Sequence, residues 1–131
     1  MKILIAEDDF ASRKFIMNHM SKYGDCDGTV DGQEAVEAFV MAMEDDEPYD
    51  LLCLDVMMPE MDGYQVIKTV REIEEDAGLK PKDRVKIIMM TALSAEKNVK
   101  MAFELGATVY CAKPVDVERL KTAMKKLKLI K

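Results

Sequence analysis

The sequence predicts an α/β fold in which a parallel sheet is covered by helices on both faces. Short, continuous apolar runs, typical of strands that are buried on both faces, recur along the 131 residues. Segments with apolar residues at helical spacing lie between these runs. Because parallel strands need right-handed crossover connections, this alternation indicates a doubly wound topology.

Length and composition predict one domain over residues 1–131. A chain of this size can enclose a full core, and 49% hydrophobic with 34% charged residues is ordinary for a globular protein. The net charge of -6 disfavours direct binding to nucleic acid, which needs clustered Lys and Arg. No apolar run approaches the roughly 20 residues that cross a bilayer. Three cysteines without metal spacing favour free thiols, so we expect a cytoplasmic protein without membrane contact.

Four apolar runs are predicted to be buried strands. They cover residues 3–6, 51–54, 85–90 and 108–112. A weaker strand candidate covers residues 26–30, where the sequence is more polar. Together with the helices between them, these runs predict five strand–helix units.

Five segments place apolar residues on one helical face. The apolar positions are Ile16, Met20 and Tyr23; Val36, Phe39, Val40 and Met43; Val66, Ile67, Val70 and Ile73; Val99, Ala102 and Phe103; and Val117, Leu120, Met124 and Leu127. Asp31 and Asp62 are each followed three residues later by Glu or Gln, as in a capping box. Ser94 and Asp116 stand just before the last two segments and are further start signals.

Polar residues follow the predicted strands at their carboxyl ends. They are Glu7, Asp8 and Asp9 after the first strand, Asp55 after the third, Thr91 after the fourth and Lys113 after the fifth. In doubly wound sheets, ligands bind beyond these ends. We therefore expect these side chains to share one site.

The chemistry of this site points to phosphoryl transfer. Like charges about 4 Å apart repel by roughly 4 kcal/mol at an effective dielectric of about 20, so the clustered acids predict a divalent cation. Oxygen ligands alone favour Mg²⁺ over zinc. Lys113 offers a point charge and Thr91 a hydroxyl to a phosphoryl group. Because carboxylates can form aspartyl phosphates, Asp55 is the candidate acceptor.

Four stretches, in this order, resemble the receiver domain of two-component response regulators, and in particular a stand-alone, chemotaxis-regulator-like receiver. They are "AEDD", "LDVMMPEMDG", "MMTA" and "CAKP", spread over nearly the whole chain. Four coinciding motifs are far more specific than one short pattern. The resemblance implies a flavodoxin-like sheet with strand order 2-1-3-4-5 and five helices. It also implies a phosphoacceptor regulator rather than an enzyme, here without an output domain.

The resemblance implies roles for the acidic residues. Asp55 would accept the phosphoryl group from a sensor histidine kinase or a phosphotransfer protein, with Mg²⁺ as the cofactor. Asp8, Asp55 and the main-chain carbonyl of Met57 would bind the ion directly. Glu7 would act through a water molecule.

The register of the acid pair leaves one alternative. Arg13 lies at the family's usual distance downstream when Glu7 and Asp8 form the pair, and Asp9 is then a neighbour. Asp9 as a metal ligand is the less favoured register. Taken alone, Asp8 and Asp9 are also typical helix caps.

The resemblance further implies a switch. Thr91 corresponds to the switch hydroxyl, Tyr110 to the aromatic side chain that follows it, and Lys113 to the phosphate-binding lysine. Pro114 would form a cis peptide with Lys113. Phosphorylation would then alter a face formed by residues 95–128, where an unknown downstream protein binds.

Two positions depart from the family's pattern. Met57 and Leu93 stand where side chains influence the attack of water on the phosphoryl group, and both are apolar. Neither can polarise a water molecule, so the sequence predicts slow self-dephosphorylation.

Other functions fit the sequence less well. A haloacid-dehalogenase-like phosphatase would need a second aspartate where Met57 stands, and its remaining acids would come late in the chain. A receiver fold used as a constitutive scaffold would not need the full set of strand-end residues. Flavin binding would need a Ser/Thr- and Gly-rich phosphate loop after the first strand, and a shared fold is weak evidence for it.

Several residues have simple structural interpretations. We expect His19 to be solvated and Cys53 to be an inert hydrophobic residue. The charged stretches 72–76 and 125–131 are predicted to be solvated faces.

Overall fold

Five parallel strands form one sheet. The computed structural model describes residues 1–92, 96–113 and 115–131, and of residues 96 and 97 only the main chain. The strands are β1 (Lys2–Ala6), β2 (Asp25–Thr29), β3 (Leu51–Asp55), β4 (Lys86–Thr91) and β5 (Val109–Ala112). Their order is β2-β1-β3-β4-β5, and all neighbouring pairs are parallel. This confirms the predicted flavodoxin-like topology.

The described residues form five α-helices and one short 3₁₀ helix. They are α1 (Phe10–Met20), α2 (Gly32–Glu44), α3 (Gly63–Asp76), the 3₁₀ helix (Pro81–Asp83), α4 (Glu96–Leu105) and α5 (Val117–Lys126). Asp31, Asp62 and Asp116 cap α2, α3 and α5, as the sequence predicts. The predicted cap Ser94 lies outside the described residues. In the described part of the chain, no helix has both the length and the apolar character needed to span a bilayer.

Each face of the sheet carries its own core. The helices α2, α3 and α4 cover one face, where Phe39 and Ile67 pack with Ile87 of β4. The helices α1 and α5 cover the other face, where Ile16 and Met124 pack with the apolar residues of β1 and β3. All of β3 is buried, whereas β2 at the edge is largely exposed. This two-sided burial explains the continuous apolar runs.

His19 is buried, so the prediction that it is solvated is wrong. It follows Ile16 by three residues and therefore lies on the buried side of α1. Its side chain makes an edge-to-face contact with Tyr23 at a centroid distance of 5.7 Å. Among the described residues, its Nε2 atom has no hydrogen-bond partner. Burial, and then the charges of Lys22 and Lys121, lower the pKa of His19.

Glu74 is also buried, although residues 72–76 are predicted to be a solvated face. It follows Val70 by four residues and shares the buried side of α3. Its charge is compensated: Arg71 Nη1 lies 2.6 Å from Glu74 Oε1, and the Val85 N–H donates to Glu74 Oε2 at 2.7 Å. Arg71 also donates to the Gly106 carbonyl at 2.8 Å. This network joins α3 to the start of β4 and the end of α4.

Candidate functional site

Three carboxylates gather at the carboxyl edge of the sheet. Glu7 and Asp8 follow β1, and Asp55 ends the neighbouring strand β3. One oxygen of each lies within 4.8 Å of the others. Glu7 and Asp55 are buried, whereas Asp8 is exposed. Three carboxylate oxygens so close together could hold a divalent metal ion, and hard oxygen donors suit Mg²⁺.

The crowding of these acids alters their proton affinity. Burial raises the pKa of Glu7, and its hydrogen bond with Asp55 raises it further. Burial also raises the pKa of Asp8, followed by the hydrogen bond with Glu7. Each additional negative charge is therefore costly in this cluster, and a bound cation would relieve that cost.

Lys113 supplies a positive charge to the cluster. Its Nζ atom lies 2.5 Å from Glu7 Oε1 and 3.2 Å from Asp55 Oδ2. Burial lowers the pKa of Lys113, but the hydrogen bond with Glu7 and the charge of Asp55 outweigh that effect and leave it raised. The Lys113 N–H donates to the Thr91 carbonyl at 2.9 Å, which continues the pairing of β4 with β5. This main-chain bond aims the lysine across the strand ends.

Thr91 and Tyr110 lie on the same face of the sheet. Thr91 ends β4, is fully buried and pairs with Ala112 of β5, and Tyr110 pairs with Met89 two positions earlier. Side chains two residues apart on a strand point to the same side. Tyr110 is partly buried and packs against the core beneath α2, α3 and α4. The side chains of Thr91 and Tyr110 therefore both point to the face covered by α2, α3 and α4.

Asp9 has a separate structural task. Its side chain caps α1 by accepting a hydrogen bond from the Ser12 N–H at 2.8 Å, and this bond lowers the pKa of Asp9. The group of clustered carboxylates does not include it. Arg13 Nη1 donates to the Glu7 carbonyl at 2.9 Å and so fixes the main chain beside the acid pair. These contacts favour the register with Glu7 and Asp8 as the pair.

The loop after Asp55 packs tightly against the end of β3. A Cβ atom at Gly63 would lie 2.5 Å from the Asp55 carbonyl, so this close approach needs glycine. Met57 lies in this loop with its side chain 62% exposed. Leu93 and Pro114, for which the sequence also makes predictions, lie outside the described residues.

An apolar surface lies beside the acids, and the sequence patterns do not predict it. Phe10 and Phe15 of α1 are 68% and 43% exposed. Phe15 lines a cavity of about 290 Å³ that also reaches Glu7 and Lys113. Both aromatic residues lie off the buried stripe of α1, and a search for exposed apolar residues on that helix would have found them.

The comparison with known proteins agrees with this geometry. The family model of the response regulator receiver domain matches residues 3–125. The transcriptional regulatory protein CiaR of Streptococcus pneumoniae is 33% identical over 97% of this chain and 51% of its own length. Sporulation initiation phosphotransferase F of Bacillus subtilis is 30% identical over 95% of this chain and 91% of its own length. The chain thus spans about half of the first relative and most of the second.

Solved structures show the same fold. A chain in the crystal structure of the CheX-CheY-BeF3-Mg²⁺ complex from Borrelia burgdorferi is 25% identical, with a TM-score of 0.80 over 100% of this chain and 90% of that one. The family model spans nearly all of the sequence, and the strand ends bring the acids and the lysine together. The chain therefore belongs to the family of response regulator receiver domains.

Proposed function

We propose that Asp55 accepts a phosphoryl group from a sensor histidine kinase or a phosphotransfer protein and that this modification switches a protein-binding face. Receiver domains of two-component systems are phosphoacceptor regulators that histidine kinases phosphorylate, and they are generally not enzymes. The observation that carries the assignment of Asp55 is the contact of its carboxylate with Lys113 beside the clustered acids.

The transfer step needs a nucleophile and neutralisation of charge. An oxygen of Asp55 attacks the phosphorus atom of the donor's phosphohistidine, so that an O–P bond forms while the P–N bond breaks. The close carboxylates fit Mg²⁺, which would be held by Asp8, Asp55 and the Met57 carbonyl, with Glu7 acting through a water molecule. When bound, the ion supplies positive charge to the phosphoryl oxygens.

Lys113 connects the chemistry to the switch. In the unmodified chain it bridges Glu7 and Asp55. A phosphoryl group adds about one unit of negative charge at Asp55, which draws the lysine ammonium and the Thr91 hydroxyl toward its oxygens. Because Tyr110 shares the face of Thr91, we expect the aromatic side chain to follow.

The switched face comprises residues 95–128, of which residues 95 and 114 lie outside the described residues. Its apolar side chains are partly open to solvent: Met101 is 39%, Phe103 45% and Val117 38% exposed. A cavity of about 530 Å³ between β5 and α5 reaches Tyr110. Exposed apolar residues beside an aromatic side chain that repositions on phosphorylation would suit a downstream protein that distinguishes the two states.

The phosphodonor protein would approach over α1 and the loop after Asp55. Phe10, Phe15 and Met57 expose apolar surface around the acids. Exposed aromatic residues next to a reactive group are typical anchors of protein interfaces. We infer that this surface seats the donor with its phosphohistidine toward Asp55.

The first experiment tests the acceptor. The protein is incubated with acetyl phosphate and Mg²⁺, and its intact mass is measured. We expect the wild type and Asp76→Asn, a control at an exposed position of α3, to gain one phosphoryl group, whereas Asp55→Asn gains none. Equal phosphorylation of Asp55→Asn would contradict the assignment.

The second experiment tests the switch. Amide spectra are recorded with and without beryllium fluoride and Mg²⁺, which together mimic the acyl phosphate. We expect shifts around Asp55 and also along residues 99–126. If the shifts stay within the acid cluster, the domain takes up the mimic without switching, and the proposed switched face is wrong.

A further inference from the structure

A second cavity opens at the amino-terminal edge of the sheet, opposite the acidic site. Its volume is about 370 Å³, and its lining includes Arg71, Arg84, Lys86, Gly106 and Thr108. Lys86 begins β4, and Thr108 directly precedes β5. Pro81, the first residue of the 3₁₀ helix between α3 and β4, also lines the cavity.

Arg71 forms a fixed wall of this cavity. Its Nη1 atom is paired with Glu74 at 2.6 Å, and its Nε and Nη2 atoms donate to the Gly106 carbonyl at 3.2 and 2.8 Å. Gly106 has φ of +117°, and a Cβ atom there would lie 2.8 Å from Arg71 Nε. The charge of Arg71 is thus compensated, and its position is set by several bonds.

Two further cations face the cavity without such compensation. Arg84 donates from Nε to the Leu79 carbonyl at 3.1 Å, which leaves its two Nη groups for another partner. Among the described residues, neither Arg84 nor Lys86 has an ion pair within 4.0 Å. Thr108 Oγ1 accepts the Ile87 N–H at 3.0 Å, so its hydroxyl hydrogen can still donate.

The lining therefore offers donors and positive charge, in a chain whose net charge is -6. No acidic side chain lines this cavity in the described part of the chain. A guanidinium fork, an ammonium group and a hydroxyl are the groups that bind phosphate oxygens in proteins. The volume also leaves space beside a phosphate group for a small organic moiety.

We propose that this cavity binds a small phosphate monoester, with Arg84, Lys86 and Thr108 as the groups that contact the phosphate. The proposal does not depend on phosphoryl transfer at Asp55, which lies at the other edge of the sheet. It gives a role to Arg84, Lys86 and Thr108, which lie outside the acidic site.

The test is a titration of ¹⁵N-labelled full chain with ribose 5-phosphate and, separately, with inorganic phosphate. It is done in EDTA, so that no metal ion is available to the acidic site, and at constant ionic strength. We expect saturable amide shifts at residues 84–86 and 106–108. Weaker binding of inorganic phosphate would identify the monoester as the ligand class, and equal binding would identify free phosphate.

Matched variants decide whether the shifts report this site. Each of Arg84→Gln and Lys86→Gln should weaken binding roughly tenfold, the effect of losing one charge-assisted hydrogen bond. Lys82→Gln removes the same charge from the 3₁₀ helix, outside the lining, and should leave binding unchanged. Because Arg84→Gln also removes the hydrogen bond to the Leu79 carbonyl, Lys86→Gln tests the binding of phosphate with that bond intact. Shifts that do not saturate, or that respond equally to all three variants, would overturn the proposal.

Discussion

Glu74 offers the sharpest test of what holds α3 to the start of β4. It is 1% exposed, and its partner Arg71 is 18% exposed at the side chain. Removing one partner of a buried ion pair typically costs about 3–5 kcal/mol, because the other charge is left unpaired. Arg71 would keep its bonds to the Gly106 carbonyl, so we take the lower limit, about 3 kcal/mol, for Glu74→Gln.

This loss is large enough to measure by thermal unfolding. For a domain of this size, 1 kcal/mol corresponds to about 3–4 °C in Tm, so Glu74→Gln should lower Tm by about 10 °C. Glu75→Gln removes the same charge from the next, exposed position of α3 and should leave Tm nearly unchanged. The assay is circular dichroism at 222 nm or a similar helix signal, at neutral pH. A Tm for Glu74→Gln equal to that of the control would refute the reasoning.

Three further predictions follow from single residues. Burial lowers the pKa of His19 below its ordinary value of 6.5. The neutral imidazole therefore contributes fully to stability above that pH, and this contribution is lost on acidification. The urea midpoints at pH 7.5 and pH 5.5 should consequently differ less for His19→Gln than for the wild type. Met57→Asn should shorten the phosphoryl lifetime severalfold, as followed by intact mass, because an amide can hold the attacking water; an unchanged lifetime would count against this role. Gly106→Ala should destabilise more than Gly78→Ala in urea unfolding, since both have positive φ but only the former would contact Arg71.

The sheet, and the carboxyl edge that carries Asp55 and Lys113, could be predicted because the sequence patterns that indicate them are local. Continuous apolar runs mark β1, β3 and β4 to within one or two residues. In a parallel sheet of this order, β3 and β5 end at the same edge on either side of β4, and the long side chain of Lys113 can then reach Asp55. The strand β2 is harder to predict, because an edge strand with the sequence DCDGT carries little apolar pattern.

Other features depend on partners that are distant in sequence. Glu74 is charged, and its burial is compensated by the contacts with Arg71 and the Val85 N–H. His19 is buried because α1 turns that position inward. The cavity at the amino-terminal edge combines residues 71–86 with residues 106–108, and no periodic pattern in either segment indicates that they meet. Such features follow from packing, which single-sequence patterns do not record.

The pairing of Lys113 with Glu7 has a consequence for the newly made chain. These residues are 106 positions apart, so the pair can form only after β5 has emerged from the ribosome and joined β4. Before that moment the acids near Asp55 lack their fixed counter-charge. The cluster of acids and lysine at the carboxyl edge is therefore complete only late in folding, once the last strand has joined the sheet.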